Sequence, residues 1–299
     1  MQIVETIAAL RQTLSAWRAR TQSIAFVPTM GNLHTGHIRL VEESKRQAER
    51  VVVSIFVNPS QFGPNEDLAA YPHTPDQDTA KLITAETDLL FLPSSRELYP
   101  RDFAAMSYVE VPGLSDELCG RFRPGHFRGV ATVVLKLLHL VQPDVALFGE
   151  KDYQQLTLLR RMVADLDLPV RIHAVSTIRE PDGLAMSSRN AYLSPEERRR
   201  ATRLYVRLSE AAERTLSGEA DYARLEREGS AGLLADGFRP DYFAVRRQSD
   251  LAVPGAEDLE LVILAAARLG RTRLIDNVLV SRENRCGSGR TIATGYGSG

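Results

Sequence analysis

Two histidines and two glycines stand close together near the start of the chain, within residues 28–37. His34 and His37 lie between a strand predicted over residues 24–27 and a helix predicted over residues 38–50. A strand, a glycine-containing turn and a helix N-terminus bring backbone N–H groups close to an anion, and two imidazoles can donate hydrogen bonds to a leaving pyrophosphate. This motif predicts a nucleotide-phosphate site, although a helix start with two partly exposed histidines would give the same pattern.

A second polar segment follows a strand predicted over residues 171–178. It contains Ser187, Ser188 and Arg189. Two hydroxyls and a guanidinium suit a polyphosphate, whereas a serine pair alone is more often a helix cap. The two segments together favour phosphate binding much more strongly than either does alone.

Six sequence blocks, taken in order, resemble the pantothenate synthetase (pantoate–β-alanine ligase) family of the nucleotidyltransferase superfamily. The blocks are residues 28–37, 56–62 (FVNPSQF), 123–129 (RPGHFRG), 148–155 (FGEKDYQQ), 186–190 (MSSRN) and 273–277 (RLIDN). The resemblance runs over about residues 1–280. It implies an enzyme of coenzyme A biosynthesis that condenses (R)-pantoate with β-alanine through a pantoyl adenylate, converting ATP to AMP and diphosphate.

The resemblance also assigns roles to individual residues. His37 is the implied proton donor with His34 beside it, and Lys151 reaches both phosphate and the reacting carboxylate. Gln61 and Gln155 are the expected pantoate ligands, since an amide can donate to a carboxylate and accept from a hydroxyl; Gln61 also orients β-alanine. Mg²⁺ is expected with ATP, without an assigned protein ligand. The implied ATP-binding residues are Met30, Gly31, Asn32, Leu33, His34, Thr35, Gly36, His37, Gly149, Glu150, Lys151, Asp152, Ile178, Met186, Ser187, Ser188 and Arg189.

Other residues near these blocks have both a functional and a structural interpretation. Asp76 and Asp78 either support Mg²⁺ through water or cap the helix that follows Pro75, and capping is favoured for Asp76. Asn58 either binds substrate or braces its turn. Among the arginines of the 123–129 block and its surroundings, Arg123 is expected nearest the site.

Composition indicates a globular protein without a strong global charge. The chain has 299 residues, 43% of them hydrophobic, and a formal net charge of -1, so neither nucleic acid nor an anionic membrane is an expected partner. The amino terminus lacks the pattern of a secretion signal, and no apolar run approaches the roughly 20 residues of a membrane span. We therefore expect a cytoplasmic protein. Cys119 and Cys286 lie far apart, which argues against a disulfide framework or a zinc site.

The order of predicted elements indicates two domains. Short apolar runs alternate with amphipathic helices through residues 1–176, as in a Rossmann-like parallel α/β sheet that binds ligands beyond its strand ends. Residues 177–281 are expected to form a smaller α+β lid domain, with helices predicted over residues 194–216 and 222–234 before three strands. Residues 282–299 are rich in glycine and serine and poor in apolar side chains, so we expect them to be disordered.

The resemblance further implies a homodimer formed through the larger domain, and closure over ATP about a hinge at residues 176–179. Two other functions compete with the ligase. One is a superfamily member that adenylates a phosphate; a tRNA synthetase ranks lower, because neither an RNA-binding appendage nor a basic surface is evident. The other is a nucleotide-binding protein without turnover, against which the retained histidines, lysine, serines and arginine argue.

Overall fold

The computed structural model describes residues 1–64, 66–102, 105–255 and 257–282. The expected disordered tail lies outside the described residues except for Arg282, and so does Cys286. The strands are β1 Gln2–Val4, β2 Ile24–Thr29, β3 Arg50–Ile55, β4 Leu89–Phe91, β5 Val145–Gly149, β6 Arg171–Val175, β7 Arg239–Arg247, β8 Glu260–Leu269 and β9 Thr272–Ser281. The helices are α1 Ile7–Arg18, α2 Thr35–Gln47, α3 Pro75–Thr84, α4 Ser95–Leu98, α5 Cys119–Phe122, α6 His126–Val141, α7 Tyr153–Asp165, α8 Pro195–Ala201, α9 Arg203–Leu216 and α10 Tyr222–Ala235.

The first six strands form one parallel sheet in the order β1-β4-β3-β2-β5-β6. Strand β3 lies inside the sheet, and all its residues except the first are buried. A run of β-branched apolar residues is what a strand covered on both faces requires. The predicted Rossmann-like parallel sheet is therefore confirmed.

The order of strands places two loops side by side. Strand β2 pairs with β3 on one side and with β5 on the other, and the chain proceeds from β2 towards one edge of the sheet and from β5 towards the opposite edge. The loops that leave β2 and β5 thus border the crevice where the winding direction reverses, which is the usual ligand position in such sheets. These loops carry the histidine motif and Lys151.

The second part of the chain is a separate antiparallel sheet, β7-β8-β9. Helices α8, α9 and α10 supply the residues that pack on it, including Leu204, Leu208 and Leu233, in a hydrophobic cluster of its own. This arrangement confirms the smaller α+β unit. The parallel sheet ends at Val175, and the division into domains at residue 176 remains a prediction.

Several element boundaries differ from those predicted. The single helix predicted over residues 194–216 is two helices that meet at Thr202, whose hydroxyl donates to the carbonyl of Arg199 at 3.1 Å; such back-bonding disturbs the helical ladder. Elements β1 and α1 were not predicted from the sequence. Strand β1 has only three residues, too few for a periodic signal, while Leu10 and Leu14 of α1 are fully buried.

None of the helices in the described ranges combines the length and apolar character needed to cross a bilayer.

Candidate active site

A cavity of about 230 Å³ lies in the crevice between the loops that leave β2 and β5. It brings together residues from four of the six sequence blocks: the histidine motif, the Gln61 segment, the Lys151 turn and the Ser–Ser–Arg segment. The predicted site residues that line it are Met30, His34, Gly36, His37, Gln61, Gly149, Lys151, Asp152, Gln155, Ile178, Met186, Ser187, Ser188 and Arg189.

The two histidines start helix α2 and fix each other's orientation. His34 is the N-cap residue, and its Nδ1 accepts from the backbone N–H of Gly36 at 3.1 Å. The Nδ1 of His37 accepts from the backbone N–H of His34 at 3.3 Å. Because both Nδ1 atoms accept, each neutral ring carries its proton on Nε2. The site therefore holds two preset N–H donors, with ring centroids 4.1 Å apart.

Gly36 is needed for this arrangement. A Cβ atom at position 36 would lie 2.9 Å from the His34 ring. Any other residue would push that ring away from its capping position, so the glycine serves the histidine as well as the approach of an anion.

Burial keeps both imidazoles neutral in the free protein. Removal from water lowers the pKa of His34 to about 4, and the positive charge of Lys151 contributes to this shift. The pKa of His37 lies well below its usual range, first because of burial and then because of His34 and Lys151. Near neutral pH the pair can donate hydrogen bonds to a phosphate without carrying a charge of its own.

Asp78 holds the turn that precedes the histidines. Its carboxylate is buried and accepts from the backbone N–H groups of Asn32 and Leu33, both at 2.8 Å. Lys81 donates to the Leu33 carbonyl at 2.6 Å. Both carboxylate oxygens of Asp78 thus accept from the backbone. The structure shows Asp78 bracing the histidine turn. It does not cap helix α3, whose N-cap is Thr74 without a side-chain cap hydrogen bond, and the capping favoured for Asp76 is likewise not found there.

Gln61 is oriented by a buried network. Asn58 donates from Nδ2 to Gln61 Oε1 at 3.1 Å and to the Gly129 carbonyl at 3.2 Å, and Tyr99 donates to Asn58 Oδ1 at 3.0 Å. With its oxygen held, Gln61 has its Nε2 turned to the Met30 sulfur, 3.0 Å away. Asn58 was expected either to bind substrate or to brace its turn. In this structure its hydrogen bonds brace the turn, and it also lines the cavity.

The Ser–Ser–Arg segment crosses to the histidine motif. Ser188 donates to the Asn32 carbonyl at 3.2 Å, whereas Ser187 caps a short 3₁₀ helix by accepting from the Arg189 N–H at 3.3 Å. The guanidinium of Arg189 makes two hydrogen bonds to Asp67, at 2.9 and 3.0 Å. The expected phosphate ligand therefore has a carboxylate partner in this structure, and no motif in the sequence pointed to Asp67.

Five predicted ATP-binding residues do not line the cavity. Asn32 and Leu33 contribute backbone groups to the bracing just described, and Gly31 has a φ of +83°, which favours glycine at that turn. Thr35 is exposed. Glu150 directs its carbonyl to the side chain of Asn277. Because none of these five residues lines the cavity, their contacts with ATP remain predictions.

Arg123 lies beside the site but is held by neighbours. It makes two hydrogen bonds to Glu66, at 2.5 and 2.6 Å, and contacts His126 Nε2 at 2.9 Å. His126 Nδ1 in turn contacts the Gln61 carbonyl at 2.8 Å. Burial, followed by the Arg123 charge, lowers the pKa of His126 to about 3. This neutral ring links the arginine to the glutamine loop.

The cavity has an apolar wall that was not predicted from the sequence. It is formed by one face of α6 and by the end of β5: Val130, Val133, Val134, Leu137 and Phe148. The 3–4 residue spacing of the first four is a helical signal, but such a stripe is normally core, and only the fold shows that it borders a polar site.

Comparison with known proteins decides the family. Residues 2–279 match the family model described as pantoate-β-alanine ligase. The chain belongs to this family. A pantothenate synthetase from Methylococcus capsulatus is 63% identical, with 94% of this chain and 98% of the relative covered.

Solved structures agree with the pantoate–β-alanine ligase assignment. The pantothenate synthetase of Thermus thermophilus has a TM-score of 0.87 at 46% identity, covering 93% of this chain and 99% of that one. A pantoate–β-alanine ligase from Francisella tularensis, solved with a β,γ-ATP compound and β-alanine, has a TM-score of 0.78 at 34% identity, covering 93% and 97%. The predicted family, enzyme class and ligase activity are confirmed.

Proposed function

We propose that this cavity carries out the ATP-dependent condensation of pantoate with β-alanine in two steps, with the residue roles given below. The observation that supports this most is the meeting of the histidine turn, Lys151 and the Ser–Ser–Arg segment around one cavity at the sheet's switch point. Such a set of fixed N–H donors and cations stabilises charge that develops on a leaving pyrophosphate.

In the first step a pantoate carboxylate oxygen forms a bond to the α-phosphorus of ATP, and the bond from that phosphorus to the pyrophosphate oxygen breaks. His34 and His37 donate from Nε2 to the phosphates. Lys151, whose side chain is largely buried beside the cavity, lies between the two anions that must meet. No covalent bond to the protein forms.

Pantoate is placed by a polar and an apolar contact. Gln61 and Gln155 bind its carboxylate and hydroxyls, and the wall from Val130 to Leu137 packs on its two methyl groups. An apolar surface beside neutral amides suits a branched hydroxy acid. It also gives a physical reason for rejecting acids without the methyl groups.

In the second step the β-alanine amine attacks the acyl carbon, the bond to the AMP oxygen breaks, and the nitrogen loses a proton to give the amide. Gln61 orients the amine. A second cavity of about 340 Å³, between loops of the larger domain and strands β8 and β9, adjoins the first and shares Lys151, Asp152, Ser187 and Arg189 with it. This cavity gives the triphosphate tail room beyond Lys151.

Mg²⁺ enters with ATP in this proposal. Within the described ranges no group of three or more histidine, cysteine or acidic side chains is arranged around a metal position. Asp152 is the carboxylate residue that lines the cavity. A single carboxylate suits a Mg²⁺ ion that keeps most of its waters and is held mainly by the phosphate oxygens of ATP.

The test is to follow pyrophosphate, AMP and amide formation from MgATP with D-pantoate, with and without β-alanine. Sustained AMP and pantothenate formation that requires both acids supports the proposal. Pyrophosphate release with a different acceptor, or none at all, would contradict it. Homodimerisation and a cytoplasmic location complete the proposal, and light scattering that finds only monomer at micromolar concentration would refute the dimer.

A further inference from the structure

The RLIDN block, residues 273–277, contributes no residue to the lining of the candidate active-site cavity. It lies on β9 of the small domain, yet its last residue contacts the turn that carries Lys151. Asn277 is 5% exposed, and its Nδ2 donates to the carbonyls of Glu150 at 2.9 Å and Lys151 at 3.0 Å. One buried amide of the small domain thus holds both carbonyls around the expected catalytic lysine.

The strand that carries Asn277 is itself hydrogen-bonded to Arg179, in the segment predicted to be a hinge. Arg179 donates to both carboxylate oxygens of Asp276, at 2.6 and 3.0 Å, and to the Asn277 carbonyl at 3.1 Å. Asp276 Oδ1 also accepts from the Asn277 backbone N–H at 2.7 Å. Arg179 stacks on Tyr205 of α9, 3.7 Å from the ring centroid. The hinge, the small domain and the Lys151 turn are therefore joined by one chain of hydrogen bonds.

The Lys151 turn joins the end of β5 at Gly149 directly to the start of α7 at Tyr153. Residues 150–152 form a single 3₁₀ turn, whose N-cap Gly149 provides no side-chain hydrogen bond. A 3₁₀ turn has poorer hydrogen-bond geometry than the α-helix that follows it. Two carbonyls held from outside would restrict the position of the Lys151 backbone and hence the reach of its side chain.

We propose that Asn277 is a positioning residue for Lys151, so that the small domain sets the lysine's position as well as covering the site. This inference rests on the proposed function of Lys151. Asn277 lines neither of the two cavities assigned to the substrates; it acts through the backbone of the turn. Because about 1 Å of misplacement can cost on the order of 10²-fold in rate, its removal should lower kcat without removing any group from the cavity.

The test is a double-mutant cycle with Asn277→Ala and Lys151→Ala. We expect Asn277→Ala to lower kcat by about 10- to 100-fold when Lys151 is present, and to change the rate of the Lys151→Ala enzyme by less than about 2-fold, since coupled residues are non-additive. An equal loss in both backgrounds, or a wild-type rate for the single variant, would overturn the proposal. Asn277→Asp, which places a carboxylate against two carbonyls, should be at least as impaired as Asn277→Ala.

The matched control is Tyr222→Phe. It removes the hydrogen bond that Arg282, directly after the carboxyl end of β9, donates to the Tyr222 hydroxyl at 2.8 Å within the small domain. Its kcat should stay at the wild-type value. A loss comparable to that of Asn277→Ala would show that any weakening of this sheet has the same effect, and would overturn the specific role.

Hydrogen exchange gives a readout that does not depend on turnover. Asn277→Ala should speed amide exchange in peptides covering residues 149–153 while leaving the β2 region unchanged. Unchanged exchange at residues 149–153 would overturn the inference. If the wild-type protein made no pantothenate, the proposed function would fail, but this exchange measurement would still decide whether Asn277 holds the turn.

Discussion

The two sides of the cavity are held in different ways. The histidine turn is held mainly by neighbours in the larger domain, through backbone hydrogen bonds to both rings and the buried Asp78 beneath them, with one further hydrogen bond from Ser188 to the Asn32 carbonyl. On the opposite side, Lys151 lies on a turn held by Asn277 of the small domain, and Arg189 is paired with Asp67.

This difference indicates that the neutral donors and the cations of the site are positioned by different means. Donors that need no charge can be preorganised at all times, because neutral imidazoles do not repel one another or nearby cations strongly. Arg189 instead has a carboxylate partner, Asp67, with which we expect a bound phosphate to compete. We therefore expect damage to the histidine side to affect the free protein, and damage to the cation side to appear mainly during turnover.

The largest effect is expected for Lys151→Ala, which removes the cation between the two reacting anions. Adenylate formation should fall by about 10³-fold, as loss of a transition-state donor typically does, while the melting temperature stays close to that of the wild type. Rapid-quench single-turnover assays measure the rate of adenylate formation, and calorimetry measures the melting temperature. Lys45→Ala, on an exposed part of α2, is the matched control; a wild-type rate for Lys151→Ala would refute its role.

Asp78→Ala should damage both stability and rate. It leaves two backbone N–H groups of the histidine turn without their carboxylate, and hydrogen bonds to a charged group are worth about 1.5–3 kcal/mol each. We expect a loss of roughly 3 kcal/mol in the free energy of unfolding, measured by urea titration, and about 10²-fold in kcat from the displaced rings. Exposed Asp76 of the same helix gives the control Asp76→Ala. A stable but inactive Asp78→Ala would argue against the bracing role.

Acid should destabilise the free protein through the same side of the cavity. The folded state lowers the pKa of His34 to about 4 and that of His37 well below its usual range. Protonation therefore favours the unfolded state: the stability that these rings confer is present above about pH 6.5 and is lost as pH falls towards about 4.

For His34 alone, the free energy of unfolding should fall by an amount on the order of 2–3 kcal/mol between about pH 6.5 and pH 4. Denaturant unfolding of the wild-type protein and of His34→Gln, measured at several pH values across this range, tests the prediction. The variant should show a shallower decline than the wild type. Identical slopes would show that His34 does not take up a proton on unfolding in this range.

Asp67→Asn should have the smallest effect. It weakens the partner of Arg189 without removing any phosphate ligand, so we predict an unchanged or somewhat lower KM for ATP and a kcat within about 3-fold of wild type, in line with the modest worth of a partly exposed ion pair. Steady-state kinetics at varied ATP decide this. Arg189→Gln is the opposing variant and should raise the KM. A large fall in kcat for Asp67→Asn would contradict this account, because it would mean that the Arg189–Asp67 ion pair is itself needed during turnover.

How much can be predicted from the sequence depends on the range of the interactions. The strand, turn and helix around His34 and His37 follow from neighbouring residues, and the parallel order of the larger domain follows from its alternating pattern. The residues that hold these groups in place cannot be predicted from neighbouring residues. Asp78 lies 45 residues from Leu33, and Asp67 lies 122 residues from Arg189; only the folded chain brings these groups together. Asn277 was noticed within a block, but its contact with Lys151 spans 126 residues.

The most direct test of the central claim is the fate of carboxylate oxygen. Pantoate labelled with ¹⁸O in both carboxylate oxygens is incubated with MgATP, β-alanine and the enzyme, and AMP, pyrophosphate and pantothenate are analysed by mass spectrometry. We predict one ¹⁸O in each AMP, one in the new amide carbonyl and none in pyrophosphate, because the oxygen that attacks the α-phosphorus leaves with AMP. Label in pyrophosphate or orthophosphate, or AMP without label, would contradict the two-step adenylate chemistry.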